Sequence, residues 1–160
     1  MKFVDIVDCE VSDPQKHGFS EILKIGRDIF IYNSPDKNPT TPSILAIQDK
    51  KEIVRSLRQF DLIYFPLYEA DVELITSAVK KDKSFIISLS DILDRKGSDK
   101  SITLYKIRKF VKFCRAYKAK FIIASFAKSV YNIRNPREVG AIAALLDLTE
   151  PQALKSMSWR

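Results

Sequence analysis

The sequence predicts an α/β fold on a parallel sheet, and three observations carry that expectation. Short β-rich runs alternate along the chain with stretches of helical period. The run Phe85-Ile86-Ile87-Ser88-Leu89 offers apolar side chains to both faces, as a strand inside a parallel sheet does. The chain has 160 residues, whereas a complete eight-fold barrel takes ~250. Six strands with helical crossovers therefore fit a sheet that is open or curled into a reduced or distorted barrel.

The first strand is expected over residues 2–7. Asp13 and Pro14 then supply a cap and a first-turn proline for a helix over 14–25, and a second strand follows over 28–32. Residues 33–42 hold three prolines among Asn, Ser, Asp and Thr, which specifies a surface loop. A third strand over 43–47 leads into a helix from Asp49 to about residue 59. Its start, Asp49-Lys50-Lys51-Glu52, is an acidic form of the capping box.

The fourth strand, 61–65, is stopped by Pro66, and Asp71 caps a helix to about residue 81. After the 85–89 strand a short helical turn over 91–94 precedes the longest helix, 101–117. At 100° per residue its apolar face gathers Thr103, Leu104, Ile107, Phe110, Val111, Cys114 and Tyr117, while Arg108, Lys109, Lys112 and Arg115 fall on the opposite arc. The last strand is 121–124. Asn135-Pro136-Arg137-Glu138 and Thr149-Glu150-Pro151-Gln152 each begin a helix with a cap residue, an early proline and Glu or Gln at the third helical position.

With 46% hydrophobic residues and few glycines the chain can bury a sizeable core as one domain over residues 1–160. Its longest apolar stretches are strand-sized, short of the ~20 residues of a membrane helix. The start Met1-Lys2-Phe3-Val4-Asp5 has no signal-peptide apolar region, so a cytoplasmic protein is expected. Cys9 and Cys114 are isolated and read as free thiols.

The net charge of +7 is unevenly spread. Between Arg95 and Arg137 thirteen Lys or Arg face one acid, Asp99, a local charge of +12; the remaining 14 basic and 19 acidic residues leave −5 elsewhere. That asymmetry is what a polyanion-binding surface on an ordinary domain looks like.

Other chemistries find little to stand on. The single histidine, His17, precedes Gly18 and reads as a solvated or capping residue, which removes histidine-rich metal sites and Ser-His-Asp or Cys-His catalysis. Gly18, Gly26, Gly97 and Gly140 are isolated, so no glycine-rich phosphate loop occurs. Asp5, Asp8, Asp91 and Asp94 fall near strand ends, where a carboxylate-dependent phosphoesterase would carry its ligands; they read more simply as caps and turn residues.

The basic cluster remains. Arg95, Lys96 and Lys100 precede the long helix, and Lys128, Arg134 and Arg137 follow the last strand, so both groups sit in segments after strands. If those strands are neighbours, the segments emerge side by side at one end of the sheet and meet one phosphate backbone. Tyr131, with Phe126 as a second candidate, offers a ring for an unpaired base.

The order of features resembles archaeal ribonuclease P protein component 3, a family related to a eukaryotic nuclear ribonuclease P and MRP subunit. The likeness begins at Phe3-Val4-Asp5, includes Asp61-Leu62-Ile63-Tyr64-Phe65-Pro66 and residues 85–93, and takes in Arg115-Ala116-Tyr117-Lys118. It is sharpest from Phe121 onward, through Ile122-Ile123-Ala124-Ser125-Phe126-Ala127-Lys128-Ser129 and Ile133-Arg134-Asn135-Pro136-Arg137-Glu138, to the closing helices around Ala144-Leu145-Leu146 and residues 153–158. Lys100 stands where the family usually has arginine, Phe126 where a small or acidic residue is common, and the chain is shorter than usual.

The resemblance implies a TIM-barrel-like α/β fold, reduced or distorted, with about six to seven parallel strands. It implies a subunit without catalytic residues of its own, in which the RNA subunit uses Mg2+ to cleave the 5′ leader of precursor tRNA. Its partners would be that catalytic RNA and component 2, two copies of each protein forming a heterotetramer, in an archaeal source. On this reading the RNA-binding candidates are Arg134 first, then Lys100, Lys128 and Arg137, with Lys96, Arg108 and Lys112. Arg134 precedes a helix start, whose free N–H groups and dipole also attract phosphate.

Overall fold

In the computed structural model, which describes residues 2–35 and 39–158, seven strands follow one another along the chain. They are β1 (Val4–Val7), β2 (Glu21–Lys24), β3 (Phe30–Tyr32), β4 (Ser43–Ala46), β5 (Leu62–Tyr64), β6 (Ser84–Ser88) and β7 (Lys120–Ala124). Every paired neighbour is parallel: β1 with β2, and β3 through β7 in sequence order.

Two seams turn these sheets into a barrel. The Phe126 amide donates to Ile6 O at 2.9 Å and the Asp8 amide to Ala127 O at 2.8 Å, which joins the end of β7 to β1. A bridge between Ile25 and Ile29 joins the end of β2 to the start of β3. Alternation then sends one set of side chains inward: Ile6, Leu23, Ile29, Ile44, Leu62, Ile86 and Ile122 form a single buried cluster. Each such burial stabilises by roughly 1.5–3 kcal/mol, against about 0.5–1.5 kcal/mol net for a hydrogen bond. The apolar interior, more than the short seams, holds the barrel closed.

The alternate residues Leu45, Ile63, Phe85, Ile87 and Ile123 face outward into a second core beneath the helices. This core is covered by α1 (Lys50–Ser56), α2 (Val72–Lys80), α3 (Ser90–Leu93), α4 (Gly97–Ala116), α5 (Pro136–Ala144) and α6 (Glu150–Ser156). All six follow β4 to β7; among the described residues no α-helix lies between β1 and β4. The fold is therefore a TIM-like barrel with helices on one side.

Most expected elements are present within a few residues, and β6 is buried at all five positions, in keeping with its two-faced apolar character. The helix expected over 14–25 is not formed. Asp13 caps as anticipated, accepting from the Gln15 amide at 3.1 Å, but Pro14–His17 makes a single 3-10 turn that Gly18 ends at φ 81°. The chain then extends into β2, with Ile22 buried on the outer side and Leu23 in the barrel interior. A strand covered on both faces carries the same adjacent apolar residues as a helix flank, so periodicity does not separate the two.

The long helix begins earlier than residue 101, at Gly97, whose φ of 55° carries the chain into it. Thr103, Ile107, Phe110, Val111 and Cys114 are buried as expected, while Tyr117 lies past the helix end and is exposed. Both cysteines are free. The expected 33–42 loop includes residues 36–38, which lie outside the described residues. No helix among the described residues is long and apolar enough to cross a membrane.

Candidate nucleic-acid interface

β6 and β7 are parallel neighbours in register from Ser84 with Lys120 to Ser88 with Ala124, so the segments that follow them leave the barrel at the same end. The Leu89 amide donates to Ala124 O at 2.9 Å and the Ser90 amide to Ser125 O at 3.2 Å, which keeps them together as they leave. The segment after β6 carries Arg95 and Lys96, while Lys100, expected in the loop before the long helix, lies in the first turns of α4 because that helix starts at Gly97. The segment after β7 carries Lys128 and Arg134, while Arg137 lies in the first turn of α5 and lines a separate cavity with Phe3, Lys16 and His17. Arg95 and Lys128 line a common cavity of about 490 Å3 at the mouth of the barrel. From that rim α4 descends for 20 residues, about 30 Å at 1.5 Å per residue, with Lys109 and Lys112 exposed on its outer face.

Among the described residues Arg134, Lys100, Lys128, Arg137, Lys96 and Lys112 enter no ion pair. Lys96, Lys112, Lys128 and Arg137 are exposed, and Lys100 and Arg134 are half-buried. Arg134 Nη1 donates to Tyr131 O at 3.4 Å.

Arg108 behaves differently. Its guanidinium grips the Asp147 carboxylate with two donors, Nη2 to Oδ1 at 2.6 Å and Nε to Oδ2. Arg115 Nη1 donates to the backbone carbonyl of the same residue at 2.9 Å. The Arg108 hydrogen bonds hold the Asp147 carboxyl below its ordinary value. Two of the four cations expected on one free arc of the helix therefore tie α4 to the turn between α5 and α6.

The helix start after Arg134 is also more occupied than expected. Asn135 Oδ1 accepts from the Arg137 and Glu138 amides, both at 3.0 Å, and Glu138 Oε2 accepts from the Asn135 amide at 2.9 Å. The reciprocal cap takes the donors that an incoming phosphate would use, leaving the Arg134 side chain as the attraction at this point. Of the two rings, Tyr131 is 87% exposed, whereas Phe126 is 8% exposed with its ring against Tyr64 at 5.2 Å, closing the barrel interior.

The carboxylates divide in two. Asp5 is a barrel-closing residue rather than a cap or turn: Oδ1 accepts from the Ser125 amide at 2.7 Å and the Ile6 amide at 2.9 Å, and Oδ2 from the Ser125 hydroxyl at 2.6 Å. Burial pushes its carboxyl up to about 6, against the lowering effect of these hydrogen bonds. Asp8, Asp91 and Asp94 instead line the mouth. Asp91 accepts from the Tyr64 hydroxyl at 2.8 and 3.0 Å and from the Tyr68 hydroxyl at 2.7 Å, and the Tyr68 hydroxyl accepts from the Ser88 amide at 3.0 Å. Burial, then the Asp91 charge, pushes both phenols above their ordinary range.

Sequence reasoning missed Tyr64, Tyr68, Ser125 and Asp147. The available signal was an acid between strand apolars, Val4-Asp5-Ile6, which in a fully buried strand has to find a partner. Among the described residues no group of three or more His, Cys, Asp or Glu is placed to hold a metal ion.

A seven-stranded parallel barrel among the described residues, coated by helices on one side and with Arg95 and Lys128 beside Asp8, Asp91 and Asp94 at its mouth, defines the class: a reduced TIM-like barrel with a mixed-charge mouth. The chain belongs to the RNase P subunit p30 family, whose model matches residues 44–160. A relative, ribonuclease P protein component 3 of Methanococcoides burtonii, is 25% identical over 85 residues, which is 53% of this chain and 35% of that protein. The match thus spans about a third of the relative's length. A chain in a cryo-EM structure of archaeal ribonuclease P with mature tRNA shares the fold at a TM-score of 0.67 and 16% identity, over 96% of this chain and 86% of that one.

Proposed function

We propose that this chain is a protein subunit of the ribonuclease P that removes the 5′ leader from precursor tRNA, and that it supports a catalytic RNA through a basic surface. One observation supports this reading beyond family membership: the segments after β6 and β7 are joined at one end, and one cation from each, Arg95 and Lys128, lines the same cavity. Such a surface offsets phosphate repulsion, so the RNA folds and works at lower free Mg2+. The Mg2+ serves the RNA, which performs the cleavage, and the protein contributes charge and position. Component 2, in a heterotetramer of two copies each, is the protein partner in this proposal.

Affinity purification of the tagged chain from its native cell tests the assembly. Recovery of the catalytic RNA and component 2 supports it; recovery of unrelated RNA alone makes the chain a general RNA-binding scaffold. In a reconstituted complex, Arg134→Ala with Lys100→Ala is expected to raise the Mg2+ needed for precursor cleavage. Full activity at low Mg2+ removes those residues from the interface.

One competing reading is a carboxylate-dependent phosphoesterase, drawn from the three carboxylates that line the mouth, although among the described residues no three such groups are placed to share a metal ion. Asp5, which that reading includes, is spent on Ser125 in the seam. Phosphodiester turnover by the protein alone with Mg2+ or Mn2+, abolished by Asp8→Asn, would support it.

A further inference from the structure

The cavity at the C-terminal ends of the strands, about 490 Å3, falls in the size range of small-ligand sites. Its apolar lining is Tyr64, Ile25 and Ile31, which pack on the barrel interior, and the edge of the buried Phe126 ring. Asp8, Asp91 and Asp94 complete the lining with the cations Arg95 and Lys128. Asp91 is engaged by two tyrosine hydroxyls. Asp8 is exposed, and among the described residues its carboxylate has no hydrogen-bond or ion-pair partner.

We infer that this mouth receives the base of one unpaired guanine nucleotide, from an RNA whose backbone lies on the cations outside it; the inference rests on the RNA-binding reading above. The charges select the base over the phosphate. A phosphate drawn into the cavity meets three carboxylates against two cations, whereas outside that lining the same chain segments carry Lys96, Lys100 and Arg134. A flat ring suits the apolar part of the lining and brings N–H donors to the carboxylates.

The choice among bases follows from their edges. Guanine places two donors, N1–H and the N2 amino group, side by side for the two oxygens of a carboxylate such as Asp8. In adenine and cytosine the amino donor adjoins a ring-nitrogen acceptor, and in uracil one N–H lies between two carbonyls. Each of those three sets a lone pair against the carboxylate.

The isolated protein with isotopically labelled isoleucine methyls, titrated separately with GMP, AMP, CMP, UMP and inorganic phosphate, provides the test. The Ile25 and Ile31 methyls are expected to move with GMP, at an affinity roughly tenfold or more above the other nucleotides, the difference a bidentate base contact carries. Phosphate is expected to leave them in place. Asp8→Asn, at an exposed position, is expected to abolish the preference while the remaining isoleucine signals report an intact fold. Equal response to all four nucleotides, response to phosphate, no response, or an unaltered preference in Asp8→Asn overturns the inference. Assembly with a ribonuclease P RNA is read independently by purification, so a negative titration beside a positive purification rejects the guanine site and leaves the subunit reading standing.

Discussion

The Ser125 hydroxyl donates to one oxygen of Asp5 at 2.6 Å and the Ser125 amide to the other at 2.7 Å, joining the end of the last strand to the first through a side chain 2% exposed. Burial outweighs these bonds and raises the folded carboxyl to about 6, so folding takes up a proton between that value and the unfolded one near about pH 4. The resulting stability is complete below the unfolded value and is lost as pH rises through about 6. At neutral pH the buried charge costs on the order of 3 kcal/mol. Asp5→Asn keeps an acceptor for the two amides and removes the charge. Urea unfolding from about pH 4 to about pH 7 should show a flatter profile in the variant than in the parent; a parent-like slope would assign the pH dependence elsewhere.

The Tyr68 hydroxyl donates to Asp91 and accepts from the Ser88 amide within a fully buried setting. Tyr68→Phe leaves that amide without its acceptor and Asp91 with the Tyr64 donor alone. A loss of about 1–3 kcal/mol is expected by chemical denaturation, and a smaller one for Tyr64→Phe, whose ring is only half-buried. Equal losses would mean that the Ser88 amide is not the costly group.

Phe110 anchors the basic helix, with its ring edge-on to Phe85 at 5.1 Å and to Tyr68 at 5.9 Å. Phe110→Ala is expected to cost about 3–5 kcal/mol. Because the cavity opens beneath α4, hydrogen exchange should accelerate more in α4 than in β4, whose interior contacts are untouched. Uniform acceleration would show that the helix and barrel open as one unit.

What the sequence made legible follows from how local each signal is. Asp49, Asp71 and Asn135 act through bonds within three residues, and each caps its helix as expected. The adjacency of β6 and β7, and with it the meeting of Arg95 and Lys128, was reachable because parallel strands with helical crossovers impose a common exit end. Partners far apart in the chain were not reachable: Asp5 and Ser125 are 120 residues apart and Arg108 and Asp147 are 39 apart. Helical periodicity placed Arg108 and Arg115 on the solvent arc correctly in angle, but it carries no information about the neighbouring turn that claims them. The same blindness turned β2 into an expected helix, since Ile22 and Leu23 are adjacent apolar residues whose opposite destinations depend on the closed barrel.

The division of cations into free and committed makes the salt dependence of RNA binding a test of the interface. Each phosphate neutralised contributes roughly 0.9 to the log–log slope of affinity against salt on a duplex. Arg134→Ala and Lys100→Ala, which remove cations outside any ion pair, are each expected to lower the slope by about that amount. Arg108→Ala is expected to leave it nearly unchanged, because Asp147 already balances that charge. Asp147→Asn then separates position from availability: it releases Arg108 beside Lys109 and Lys112 and should steepen the slope if RNA runs along α4. An unchanged slope would place the contact away from the outer face of α4.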